Sequence, residues 1–81
     1  MALKKSRTAT LTGIVIPTDW QDQEVVAAAL ATADEKEYRI AKNRKGKELL
    51  ACLQRQVEAT GTLDNDEKGR MSITITRYIV K

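Results

Sequence analysis

The sequence contains no histidine and no phenylalanine, and cysteine, proline and tryptophan occur once each in its 81 residues. Without histidine there is no imidazole to bind zinc, to activate a serine or cysteine nucleophile, or to move protons near neutral pH. The single cysteine, Cys52, excludes an internal disulfide and a clustered thiolate metal site, which is typical of a reducing compartment. The composition therefore predicts a protein that is not an enzyme, with no catalytic residues, no metal and no cofactor.

Long apolar runs are also missing. No run approaches the length of a membrane-spanning helix, and no apolar stretch follows the charged start MALKKSRTATLTG as it would in a signal peptide. We therefore expect a soluble, cytoplasmic protein without a membrane partner. Because phenylalanine is absent and other aromatic residues are few, leucine, isoleucine, valine and alanine must fill the core of one small domain.

The net charge of +3 is concentrated at the amino terminus. Lys4, Lys5 and Arg7 supply three of the 14 cationic residues, so residues 8–81 hold 11 cationic residues against 11 acidic ones. A uniformly basic surface is therefore not expected. We divide the chain into a basic amino-terminal arm, residues 1–8, which need not be ordered, and a single domain over residues 9–81.

Alternation of apolar and polar residues predicts five strands. Their expected ranges are 8–20, 25–32, 38–42, 57–63 and 71–80. Pro17 is expected to end the apolar run of the first strand, because proline cannot donate a hydrogen bond to a sheet. The polar segments 33–37 and 64–69 are expected to be hairpin turns, and Gly69 supplies a permissive backbone in the second.

A short helix is predicted between the third and fourth strands. Leu49, Leu50 and Leu53 recur at helical spacing within residues 46–54 and give a narrow apolar stripe. A helix of this length is not stable alone in water and must pack on a core. Cys52 lies among these leucines and is expected to be a small packing residue.

The resulting order of elements, β-β-β-α-β-β, resembles that of the OB-fold, a mainly β architecture in which five strands form a Greek-key barrel. The resemblance rests on the segments LTGIV, YRI, GKELL, VEATGTL and ITITRYIV, and it covers about residues 9–80. The pattern is similar to that of many small stand-alone OB-fold proteins of unassigned function, and the resemblance implies a binding module. Another small barrel, of the SH3-like kind, is the alternative architecture.

The main functional signal is the basic stretch that joins the third strand to the helix. It contains five cationic residues: Arg39, Lys42, Arg44, Lys45 and Lys47. It is not a P-loop, because Ala41 and Glu48 stand where that motif needs a glycine and a serine or threonine. Such a cluster either contacts phosphates or is solvated charge that keeps a small domain soluble.

The aromatic residues leave alternatives open. Trp20 lies just after Pro17, where its ring either stacks on a base or folds over the barrel end as a hydrophobic plug. Tyr38 alternates with Ile40 and is expected to point inward. Tyr78, near the end of the last strand, can face either way.

The resemblance implies that ligands lie across strands 2 and 3, between the loops that join strands 1 to 2 and strands 4 to 5. The outward residues there would be Ala27, Ala29, Ala31, Arg39 and Ala41. They offer one guanidinium and no stacking ring, and both loops are rich in acids that repel phosphates.

Two hypotheses of function follow. The first is weak binding of single-stranded DNA or RNA by the five cations of the basic stretch, with Trp20 as a stacking partner. The second is a protein-interaction module, which can be self-associating, that uses a flat alanine-lined face of strand 2 and has no nucleic-acid role.

Overall fold

The computed structural model describes residues 7–65 and 69–81. Its elements are β1 (Arg7–Gln21), β2 (Glu24–Thr32), β3 (Glu37–Ile40), α1 (Arg44–Glu48), a 3₁₀ helix (Leu49–Cys52), β4 (Gln56–Asn65) and β5 (Met71–Val80). The predicted mainly β class and the order β-β-β-α-β-β are confirmed.

The five strands form one sheet that closes on itself in the order β1-β2-β3-β5-β4. Closure depends on the length of β1, whose first half pairs with β4 while its second half pairs with β2. The β3–β5 pair is parallel and the other four pairs are antiparallel. One long strand therefore serves both ends of the sheet.

The first strand extends one residue beyond its predicted range at each end, and Pro17 lies inside it. It continues to Gln21, with shifts of register between Pro17 and Trp20 that leave Thr18 without a paired partner on β2. Because a bulge needs no regular hydrogen bond at each residue, it tolerates a proline inside a strand. A tight turn then follows, with positive φ at Asp22 and Gln23, and leads into β2.

The core is aliphatic, as the composition predicted. Its buried members are Val15, Ala28, Leu30, Tyr38, Ile40, Leu49, Val57, Ala59, Ile73 and Ile75. The inward orientation of Tyr38 is confirmed, and within residues 7–65 and 69–81 no polar or charged residue other than this tyrosine is buried. Cys52 is partly buried against the core, beside Leu50 and Leu53, which confirms its packing role.

The helix begins earlier than predicted and changes type. Asn43 caps α1, because its Oδ1 accepts a hydrogen bond from the Gly46 amide at 2.7 Å. Its Nδ2 donates to the Ile75 carbonyl at 2.9 Å, which ties the start of α1 to β5. After Glu48 the chain tightens into the 3₁₀ helix, whose Leu49 is fully buried.

A bulge in β5 decides the orientation of Tyr78. Thr60 pairs with Arg77 and Gly61 pairs with Ile75, so Thr76 is the extra residue on β5. One extra residue reverses the inward and outward alternation beyond it. Tyr78 therefore packs against the core, and its neighbour Ile79 is 59% exposed.

The last hairpin and the amino-terminal arm are described only in part. Asp64 and Asn65 extend β4, residues 66–68 of the predicted turn lie outside the described residues, and Gly69 has the positive φ expected of it, 78°. Within the predicted arm, Arg7 and Thr8 belong to β1, and residues 1–6 lie outside the described residues.

Candidate binding site

The structure separates the five cations of the basic stretch into different environments. Arg39 lies on β3, Lys42 lies on the connection that follows, and the remaining three lie on α1. Whether each can bind an anion depends on what already surrounds it.

Arg39 faces an acidic neighbour on the outer side of the sheet. Its Nη2 lies 3.4 Å from Oδ2 of Asp19, and both side chains are about half exposed. The cavity around this pair, about 400 Å³, is lined by Thr18, Asp19, Ala29, Glu37, Arg39, Arg70 and Met71. Two acids oppose two arginines there, so the face on which the OB-fold resemblance places ligands has no excess positive charge.

The centre of the expected alanine face is covered. Ala29 is only 1% exposed, although it is not a member of the core cluster. Ile16 and Arg39 are its partners on the two neighbouring strands, so their longer side chains flank its methyl group on the same face. Ala27 and Ala31 are half-buried. Strand 2 therefore does not present a flat, exposed alanine surface.

Lys45 is also engaged. Its Nζ lies 3.8 Å from Oε1 of Glu48 and 6.0 Å from the centroid of the Tyr78 ring. The Tyr78 hydroxyl donates to the same Glu48 oxygen at 2.8 Å. This trio links α1 to the end of β5 and leaves Lys45 less available to a ligand than an isolated lysine.

The hydrogen bond to Glu48 raises the pKa of Tyr78 above its ordinary value of 10.0, with smaller contributions from burial and from the negative charge of Glu48. The folded state therefore favours the protonated phenol. The resulting stabilisation is complete below pH 10 and is lost as the pH rises through the higher folded pKa.

We expect Glu48→Ala to lower the Tyr78 pKa towards its ordinary value. The measurement is an NMR titration of the tyrosine Cζ signals. Glu58→Ala is the matched control, because Glu58 lies near Tyr78 in a surface cavity but makes no hydrogen bond to it. A Tyr78 pKa that is unchanged by Glu48→Ala would contradict the assignment.

Lys42, Arg44 and Lys47 differ from the other two cations. All three are exposed, and the structure gives them no ion pair and no side-chain hydrogen bond among the described residues. We refer to these three residues as the free cation group. Its three residues lie within the six positions 42–47, in α1 and just before it. They are the part of the basic stretch that remains available to an anion.

An apolar cavity of about 400 Å³ lies beside the free cation group. Its lining residues are Val25, Val26, Ala27, Ala28, Ile40, Ala41, Lys42, Gly46, Lys47 and Leu50. The sequence did not reveal this cavity, because its apolar residues come from β2, β3 and the helical segment and have the same pattern as core residues. Only Lys42 and Lys47 bring charge to it.

Trp20 is 60% exposed, so the hydrophobic-plug interpretation is wrong. It lies within β1 near the β1–β2 turn and is the cross-strand partner of Val25, one of the residues that line the apolar cavity. Cross-strand partners project to the same face of a hairpin. The ring is therefore on the same side of the hairpin as Val25, and its surface is accessible for stacking.

Comparison with protein-family models, with curated proteins and with solved structures finds no match to this chain. In residues 7–65 and 69–81, no group of three histidine, cysteine, aspartate or glutamate side chains is placed to hold a metal ion. The helices of the same residues include none that is long and apolar enough to cross a membrane.

Proposed function

We propose that the chain is a non-catalytic OB-fold binding module. The closed order β1-β2-β3-β5-β4 supports this architecture, because it brings the first strand next to the fourth and places α1 between the third and the fourth in the chain.

The ligand that we propose is single-stranded nucleic acid, bound weakly. The observation that carries the proposal is the free cation group, three exposed cations within six residues. The phosphates of a strand would lie along Lys42, Arg44 and Lys47, and a base would stack on Trp20. Arg39 and Lys45 contribute less, because Asp19 and Glu48 already oppose their charges.

The size of the cation group limits the affinity and sets its salt dependence. If three phosphates are neutralised, the slope of log affinity against log salt concentration is about −2 for a single strand. The acids near Trp20, which are Asp19, Asp22 and Glu24, repel phosphate. We therefore expect binding at low salt and little binding at physiological salt.

We expect the triple variant Lys42→Gln, Arg44→Gln and Lys47→Gln to bind oligo-dT at least about tenfold more weakly at low salt, and to lose most of the salt slope. Trp20 fluorescence and the amide signals of residues 41–47 report binding. The matched control is Arg55→Gln, Arg77→Gln and Lys81→Gln, which removes the same charge from other exposed positions.

Two results would overturn this proposal. One is that a saturating strand leaves the amide signals of residues 41–47 in place. The other is that the two triple variants weaken binding equally, since the effect would then come from net charge and not from a site.

A further inference from the structure

Part of one strand edge in the closed sheet has no partner. β2 pairs with β1 along nearly all its length, but it pairs with β3 only through Ala29, Leu30 and Ala31. Among the described residues, no strand pairs with the second edge of residues 25–28. Since the residues of a strand direct their N–H and C=O groups to its two edges in turn, part of the backbone of residues 25–28 presents these groups at the unpaired edge.

The path of the chain after β3 creates this open edge. The Ala41 amide donates to the Ile73 carbonyl at 2.9 Å, so the chain turns towards β5 and does not continue beside β2. Asn43 then caps α1, so the chain forms a helix here and not a strand beside β2. The gap between β2 and α1 is therefore fixed by hydrogen bonds at both the end of β3 and the start of the helix.

The apolar cavity described above fills this gap. Val25, Val26, Ala27 and Ala28 form one wall, and residues of the segment 40–50 form the other. Its volume, about 400 Å³, falls in the range of cavities that hold ligands. It thus combines open backbone hydrogen-bonding groups, apolar side chains and the two amines of Lys42 and Lys47.

We propose that residues 25–28 of β2 bind an extended segment of a second protein, which adds to the open edge as a strand. An aliphatic side chain of that segment enters the apolar cavity, and acidic residues next to it pair with Lys42 and Lys47. Main-chain hydrogen bonds supply affinity in such complexes, and the cavity and the lysines supply selectivity.

The charges favour a different protein over a second copy of this chain. Pairing of two copies through the same β2 edge would bring Lys42 and Lys47 of both copies to one interface, where like charges repel. An acidic partner supplies counter-charge to Lys42 and Lys47 without that cost. The inference goes beyond nucleic-acid binding, because it depends on backbone groups that phosphates do not use.

The test is selection from a display library of random peptides against the wild-type chain at low salt. We expect the enriched peptides to combine aliphatic and acidic residues and to shift the amide signals of residues 25–28 and 41–50. Hydrogen exchange should slow at one or two of the β2 amides on that edge. A strand added at one edge uses every second N–H group of the peptide. N-methylation of one alternate set of peptide nitrogens should therefore abolish binding, and N-methylation of the other set should leave it unchanged.

Two protein variants test the sites of contact. The double variant Lys42→Glu and Lys47→Glu should bind the selected peptides about tenfold more weakly. Replacing the acidic residues of a peptide with lysine should restore its binding to this variant. Ala27→Leu should weaken binding by filling the cavity. Ala31→Leu is its matched control, because Ala31 is also half-buried on β2 but pairs with β3 and does not line the cavity.

The proposal fails if no peptide is enriched. It also fails if the enriched peptides bind equally well whichever alternate set of their nitrogens is methylated. It also fails if oligo-dT, and not a peptide, slows exchange at residues 25–28, since the cavity would then be part of the nucleic-acid site. Loss of oligo-dT binding alone overturns the proposed function and leaves this inference standing, so the two failures are distinguishable.

Discussion

Replacing Gly61 with alanine is expected to lower the free energy of unfolding by about 2–3 kcal/mol. A Cβ atom at this position would overlap the carbonyl oxygen of Thr74 and would lie 2.8 Å from the carbonyl carbon of the same residue. These are backbone atoms of the paired strand β5, so no side-chain rotation can relieve the overlap. The two strands would have to separate.

The position of Gly61 explains why the approach is so close. It pairs with Ile75 at the point where the register of β4 and β5 shifts, immediately before the extra residue Thr76. A bulge bends its strand and increases the local twist, which changes how the two backbones face each other at this position. Alanine would otherwise be favoured over glycine inside a strand by about 0.5–1 kcal/mol. A loss of stability would therefore report the overlap itself.

Urea unfolding followed by circular dichroism measures the effect, because Trp20 is too exposed to report folding by fluorescence. Gly69→Ala is the control: no atom lies within 4 Å of its added Cβ, and only its positive φ makes the substitution unfavourable. We expect that variant to lose about 1 kcal/mol. If Gly61→Ala is as stable as the wild type, β4 and β5 are not as close as described.

Asn43→Ala is expected to lower the free energy of unfolding by about 2–3 kcal/mol, because the variant loses two hydrogen bonds of the Asn43 side chain. The Gly46 amide loses its cap. The carbonyl of Ile75, a fully buried residue, loses its donor. An unsatisfied buried carbonyl costs more than the average hydrogen bond contributes.

Asn43→Asp separates the two contributions. The carboxylate can still cap the Gly46 amide, but it cannot donate to the Ile75 carbonyl, so we expect about half of the alanine effect. Urea unfolding gives both values. Equal stability of the two variants would show that the cap contributes little, and an aspartate variant as stable as the wild type would show that the link to β5 is not needed.

The same pair of variants connects stability with the proposed function. Asn43 holds the start of α1, and the free cation group lies on either side of it. Asn43→Ala removes no charge, so any loss of oligo-dT affinity in that variant would come from the position of the cations. We expect a smaller loss than in the triple glutamine variant, because the charges remain.

Much of the fold could be predicted because a strand that packs one face on the core has alternating apolar and polar residues, and this pattern is local in the sequence. β5 begins and ends at the predicted residues, and β2 differs from its prediction by one residue. In both strands the alternation of apolar and polar residues reflects which face is buried, and this periodicity is present in the sequence itself. β1 extends one residue beyond its predicted range at each end, and the bulge after Pro17 is the feature that the alternation did not indicate.

The candidate site was less predictable, because its properties depend on residues far apart in the chain. Arg39 and Lys45 have the same charge in the sequence as Lys42 and Lys47, yet Asp19 and Glu48 oppose the first two. The pairing of Arg39 with Asp19 joins residues on different strands, so no local pattern indicates it. The spacing of cations in the sequence identified the five residues of the basic stretch. In the structure only the free cation group remains available to an anion.

The sequence by itself determined the mainly β class, the order of the elements, the aliphatic core and the lack of histidine chemistry, because composition and short-range periodicity carry that information. Tertiary structure alone decided the inward position of Tyr78, the exposure of Trp20 and the open edge of β2 with its apolar cavity. Each of these depends on strand register or on the path after β3, and register is set by contacts between residues that are distant in the chain.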